Sequence, residues 1–206
     1  MTLGISDGPQ DAGSQAVDSA VARRVLRTAL VLNATMFVID VGAGLFARSS
    51  GLLADGIDML SDAMVYGLSL IAMSRSRTFQ HRTAVASGLL LAVSGVAVML
   101  DAIRRARQGD VPEPHLMAGA AVLSLLVNAT VLRMLARFRY GEVHLRASWI
   151  FTRADVIANA GVILAALLVA ATASRTPDLI VGLGIGAYVL KEAWEILREA
   201  SSARAT

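Results

Sequence analysis

The sequence predicts an all-α membrane protein, a bundle of six transmembrane helices, and three observations carry that prediction. Mean hydropathy is +0.60, and 55% of residues are hydrophobic against 17% charged, a balance foreign to soluble domains of this length. Apolar stretches long enough to cross a bilayer, which takes about 20 residues, recur through residues 28–47, 53–73, 83–103, 116–136, 148–173 and 179–197. The arginines sit at the ends of these stretches, where they anchor and orient helices rather than line a nucleic-acid surface.

The chain divides on this reading into a disordered cytoplasmic N-terminal tail (1–22), a six-helix transmembrane domain (23–200) and a short C-terminal tail (201–206). The first twenty residues lack the basic start and apolar core of a signal peptide. An even number of spans puts both termini on one side. With the termini inside, 13 Lys and Arg fall on the inner side against 5 outside, which places the termini in the cytoplasm of a bacterial inner membrane. The cluster Arg104, Arg105 and Arg107 dissents, offset in part by Asp110 and Glu113. With no cysteine in the chain, thiolate ligands, disulfides and cysteine nucleophiles are excluded.

In the first span Asn33 and Asp40 lie two turns apart on nearly one face, and Asp40 reads either as part of a cation path or as a packing residue. The second span carries the chain's most unusual pattern. Asp55, Asp58 and Asp62 are spaced i, i+3, i+7, within roughly 60° of one helical face, in a stretch otherwise apolar from Ser49 to Met73. Ionisable groups at that depth are costly, so they point to function. In the fourth span Asn128 reads as interhelical glue, and in the sixth Gly182 and Gly186 form a small-xxx-small pair that permits close helix contact.

The fifth span supplies a counterpart to the acidic stripe. Phe151, Asp155 and Asn159 recur by fours on one face, and Arg153, about 200° round the helix from Asp155, is expected to snorkel towards the headgroups. With soft span boundaries, Asp62 and Asp155 fall within about 6 Å of one depth, which allows one site near mid-membrane. Carboxylates gathered there cannot all stay ionised alone. Protons or a divalent cation must neutralise them, and the same oxygens can take either in turn. His81 and His115 read as loop residues and His144 as interfacial, with a minor part for His144 in guiding metal.

The stretches SGLLADGIDMLSDAM and FTRADVIANAGVI resemble the two signature segments of the cation diffusion facilitator family, whose second and fifth spans each carry a ligand pair of the form His/Asp-x-x-x-Asp. Asp58 and Asp62 match the first pair, Asp155 matches the second member of the other, and Asp55 matches an acidic residue that often precedes the first pair. The resemblance covers nearly all six spans. It implies a membrane transporter without enzyme activity or cofactor, exporting a divalent transition metal, zinc or also cadmium, against inward protons, as a homodimer. The metal ligands it implies are Asp58, Asp62 and Asp155, with Asn159 and Asp55 as further candidates. Two departures stand out: Phe151 occupies the place of the usual His, which leaves an all-oxygen site open to harder ions, and the cytoplasmic domain that follows the sixth span in most of the family is missing. The rival readings are a passive cation channel using the same carboxylates as a ring, a membrane-embedded metalloenzyme, which lacks a second catalytic group, and a bundle whose acids only pack.

Overall fold

The computed structural model describes residues 9–47, 50–108, 114–174 and 176–202 of the 206-residue chain. Six long helices make it up: α1 (Pro9–Ala47), α2 (Ser50–Ala72), α3 (Arg77–Gln108), α4 (Pro114–Leu135), α5 (Val143–Thr172) and α6 (Thr176–Ser202), with one 3-10 turn (Ala136–Phe138) after α4. Each expected span coincides with one helix, although 53–73, 116–136 and 148–173 each run one residue past the helix end. The helices overrun the spans at their ends because hydropathy marks only the apolar part, whereas backbone hydrogen bonding continues into the polar flanks.

The largest difference is at the start. α1 begins at Pro9, so residues 9–22 are helical where a disordered tail was expected, and residues 1–8 lie outside the described set. The helical stretch is held at its base: Arg137 donates to Asp18 at 2.8 Å, and Ala22, Val25, Leu26 and Ala29 are buried against Tyr66, Val131, Leu135, Phe138 and Leu145. Composition alone misses this because the sequence there is polar on average. At the other terminus α6 continues through Ser202, and residues 203–206 lie outside the described set.

The helices run alternately up and down. The start of α5 meets the end of α6 through Arg146 and Glu199, and the start of α1 meets the 3-10 turn through Asp18 and Arg137, so the first and last described helices share one end of the bundle. This end is called the near end below. Packing is most extensive between α3 and α6, between α1 and α2, and between α4 and α5. Outward faces are apolar: Val38, Phe46, Ile57, Val93, Leu126 and Leu167 are all exposed, as lipid-facing side chains are.

The glycine pair of α6 finds its use inside the chain. A Cβ at Gly182 would stand 2.8 Å from the Ala102 Cβ, and one at Gly186 would collide with the Met99 Cγ and stand 3.0 Å from the Gly95 carbonyl. Small residues on both helices thus let α3 and α6 touch backbone to backbone. The close contact that the glycine pair announces is therefore made inside the chain, where α3 occupies that face.

Among the described residues, four stretches are long and apolar enough by composition to cross a membrane: Asp18–Ala43, Arg77–Arg105, Ala121–Phe138 and Val143–Thr172. α2 and α6 fall short because the first carries Asp55, Asp58 and Asp62 and the second Lys191, Glu192, Glu195 and Arg198. Two of the dissenting arginines have partners. Arg104 pairs with Asp101 at 2.6 Å, and Arg105 joins Asp101 at 2.9 Å and Asp178 of α6 at 3.0 Å. Asp110 and Glu113, expected to offset them, lie outside the described residues.

Candidate metal-transport site

α2 and α5 place the site, because each has one polar face in an apolar helix and the two faces meet in the bundle interior. Asp62 is fully buried and Asp155 is 5% exposed. The two carboxyls act on each other across the α2–α5 seam, and Asp58 lies within electrostatic range of both. Neither oxygen of Asp62 has a hydrogen-bond donor, and one oxygen of Asp155 is likewise unpartnered and buried. Buried carboxylates without donors are costly, and a cation or proton removes that cost.

The other candidates divide. Asn159, one turn beyond Asp155, is buried at 8% exposure with its side-chain nitrogen unpartnered. Asp55 is half-buried and accepts a 2.7 Å hydrogen bond from Ser124 of α4. It stands in electrostatic range of Asp58 on its own helix and of Asp40 on α1, which is 3% exposed with one unpartnered oxygen. The close approach at Gly56, where a Cβ would stand 2.9 Å from Val41, brings α1 to this point. Acidic groups therefore follow one another from Asp155 through Asp62, Asp58 and Asp55 to Asp40. Among the described residues, however, no three His, Asp or Glu side chains are gathered into a geometry that holds a metal ion.

Asn128 and Ser124 are residues whose part the sequence understated. Asn128 is fully buried and faces Asp62, with both side-chain polar atoms lacking a hydrogen-bond partner at normal length. Its neutral side chain reads in sequence like any interhelical asparagine. Asn33 is also fully buried, and its amide donates to the Ala29 carbonyl at 3.0 Å.

Phe151 is fully buried in the apolar cluster that also includes Val65, Ala154, Ile185 and Val189. The polar side of α5 continues instead through Thr152 and Ser148, both fully buried. Arg153 departs from expectation. It pairs with Glu192 of α6, lies 3.6 Å from Glu195 and stacks over the Trp149 ring at 4.6 Å, so it reaches a protein partner and does not snorkel to headgroups. Residue spacing on α5 gave no sign of this because the partner is on another helix. Three histidine readings also change: His81 and His115 lie within helices and not in loops, and His144 is fully buried with both ring nitrogens unpartnered. His115 lies in α4, with its side chain outside the described set.

These features define an integral membrane protein of six helices with an acidic interior shared by α2 and α5. Residues 26–203 match the family model described as the cation efflux transmembrane domain, and the chain belongs to that family, one of transporters and not of enzymes. Among its relatives, the chain is 26% identical over 187 residues to the metal cation efflux system protein CzcD of Cupriavidus metallidurans, covering 85% of this chain and 59% of that protein. It is 28% identical over 191 residues to the zinc transporter ZitB of Escherichia coli K12, covering 86% and 61%. It is 22% identical over 191 residues to the cadmium, cobalt and zinc/H(+)-K(+) antiporter of Bacillus subtilis, covering 86% and 61%. The chain thus spans about three fifths of the length of these relatives.

Proposed function

We propose that this protein exports a divalent transition-metal cation, zinc foremost and cadmium as an accepted alternative, in exchange for protons. Asp58, Asp62 and Asp155 serve as the alternating ligands, with Asn159 and Asp55 as supplementary oxygens. The observation that carries the reading is the meeting of Asp62 and Asp155, from two different helices, as interacting buried carboxyls, with both oxygens of Asp62 and one of Asp155 lacking a hydrogen-bond partner. Two such groups hold either a shared proton or a cation, and exchange between those states couples the two fluxes. The activities that the relatives' names give, metal efflux, zinc transport and cation/proton antiport, support the same reading.

In this account all six helices cross a bacterial inner membrane, and the near end with both termini faces the cytoplasm, as the Lys and Arg distribution favours. The three aspartates close around the ion when it binds, and water or Asn159 fills the position that Phe151 leaves without a nitrogen ligand. The homodimer uses a surface other than the Gly182–Gly186 face, which α3 covers.

The test is zinc uptake into inverted vesicles with and without a proton gradient. Accumulation that follows the gradient supports proton-coupled export. Equal flux with and without it would favour a passive channel, and no accumulation of zinc, cadmium, cobalt or manganese would overturn the proposed function. Because the chain has no cysteine, single cysteines placed at Ser202 and at Ser174 report sidedness, with labelling of Ser202→Cys only from the cytoplasmic face expected.

A further inference from the structure

Between the acidic pair and the near end, α2 and α5 are joined by hydroxyls. One turn below Asp62 and Asp155, the Tyr66 hydroxyl meets Thr152 Oγ1 at 2.8 Å. One turn further, Ser69 Oγ meets Ser148 Oγ at 2.7 Å. Both serine hydroxyls also lie within hydrogen-bond distance of the His144 carbonyl, at 3.3 and 3.1 Å. All five side chains are fully buried. The ring of His144 has both nitrogens unpartnered, and its Nδ1 stands 3.7 Å from Glu142 Oε2, whose side chain is 59% exposed. Glu142 is the only charged group within ion-pair distance of that ring among the described residues.

We infer that this hydroxyl ladder, Tyr66–Thr152 and Ser69–Ser148 ending on His144, is the route by which protons pass between the acidic interior and water at the near end. The inference rests on the proton-coupled reading above and adds to it a path and its residues.

Hydroxyls suit the task because each is donor and acceptor at once. Successive rungs are one helical turn, about 6 Å, apart, a step that one bridging water covers. The side chains lean the right way: Cβ atoms tilt towards a helix's N-terminus, so Tyr66 on α2 reaches towards the acids while Ser148 and Thr152 on α5 lean towards His144. Tyr66 lies within electrostatic range of Asp62 and Asp155. A proton leaving either carboxyl is taken by the Tyr66 oxygen as that group passes its own proton to Thr152. The serine rung touches His144 only at its backbone carbonyl, so a bridging water carries the proton from the rung to one ring nitrogen. The other ring nitrogen releases one to water beside Glu142, which leaves the imidazole in its other tautomer until the ring turns over and resets the relay. A metal ion is a poor passenger here, since it needs oxygens all round at about 2.0–2.2 Å and the rungs are closed by hydrogen bonds between the two helices.

The experiment uses the full chain in vesicles with zinc as the probe and two readouts: zinc-driven proton movement by an internal pH dye, and zinc-for-zinc isotope exchange at equal pH, which moves no net proton. Tyr66→Phe, Ser148→Ala and His144→Gln are each expected to slow proton movement at least tenfold while isotope exchange stays within about twofold of the unaltered protein. Ser69→Ala interrupts the same rung from α2 if Ser148→Ala does not fold. Thr130→Ala, on the exposed side of α4, is expected to change neither. An unaltered protein that exchanges zinc yet moves no protons overturns the antiport reading and the ladder together. Coupled proton movement that all the ladder variants retain, or proton movement and isotope exchange that fall in parallel, overturns the ladder alone.

Discussion

Asp62 on α2 and Asp155 on α5 stand side by side in the bundle interior, and Asp62 has no hydrogen-bond donor for either of its oxygens. Solitary buried carboxylates are rarely tolerated without a partner, and here each carboxyl's nearest charged neighbour is another acid. Cation or proton binding relieves that conflict, which makes the pair the working centre of the account.

Removing any one of the three acids should weaken binding. Asp58→Asn, Asp62→Asn and Asp155→Asn keep the side-chain volume and remove one anionic ligand each. Each is expected to weaken zinc affinity in detergent by tenfold or more, about 1.4 kcal/mol, and to abolish transport. Asp40→Asn, at the outer end of the acidic series, should leave affinity within about threefold and change flux alone. Calorimetric titration across the four variants checks both statements.

At position 151 the sequence and its family differ, and the structure adds a reason to separate stability from binding. Phe151 is fully buried in an apolar cluster, so Phe151→Ala should lower thermal stability by about 3 kcal/mol while leaving zinc affinity within about twofold. Phe151→His should raise the zinc-to-manganese affinity ratio by adding a borderline-soft nitrogen beside Asp155. An unchanged ratio at fixed pH would mean that position 151 turns fully to the apolar cluster and away from the metal.

The contact of α3 with α6 sets a third expectation. Gly186→Leu forces a side chain into Met99 and the Gly95 carbonyl, and should prevent folding or lower the melting temperature strongly. Gly184→Leu, where a Cβ meets nothing within 4 Å, should be tolerated. Thermal unfolding in detergent separates the two, and equal tolerance would argue against the close α3–α6 approach.

The Arg153–Glu192 pair provides a fourth. Glu192 is 2% exposed, so Arg153→Met leaves a buried charge unpaired and should cost about 3 kcal/mol. Adding Glu192→Gln should recover most of that loss, and a double-mutant cycle in thermal stability reads the coupling directly.

Periodicity made the helices legible, along with the two polar faces that matter most. Asp55, Asp58 and Asp62 violate an apolar stretch, and Asp155 is the only carboxylate of the fifth span, so charge in the wrong solvent pointed to them without any tertiary information. What pairs with what was not legible. Gly182 and Gly186 announce a close contact but not its partner, and Arg153 announces a charge whose counterpart is 39 residues away on α6. The ladder residues escaped notice for a different reason. Tyr66, Ser69, Ser148 and Thr152 carry no charge and barely alter local hydropathy, although 62, 66 and 69 on α2 and 144, 148, 152 and 155 on α5 follow one helical face each. His144 looked interfacial because it begins its helix, and its full burial comes from tertiary packing that residue spacing does not show.

The most direct measurement of the central claim is zinc binding to the unaltered protein and to Asp155→Asn, titrated in two buffers of different ionisation enthalpy so that proton release is counted with affinity. If Asp62 and Asp155 hold proton and metal in turn, zinc binding releases protons from the unaltered protein, and Asp155→Asn binds at least tenfold more weakly and releases fewer. Equal affinity and equal proton release in the two proteins would contradict the account.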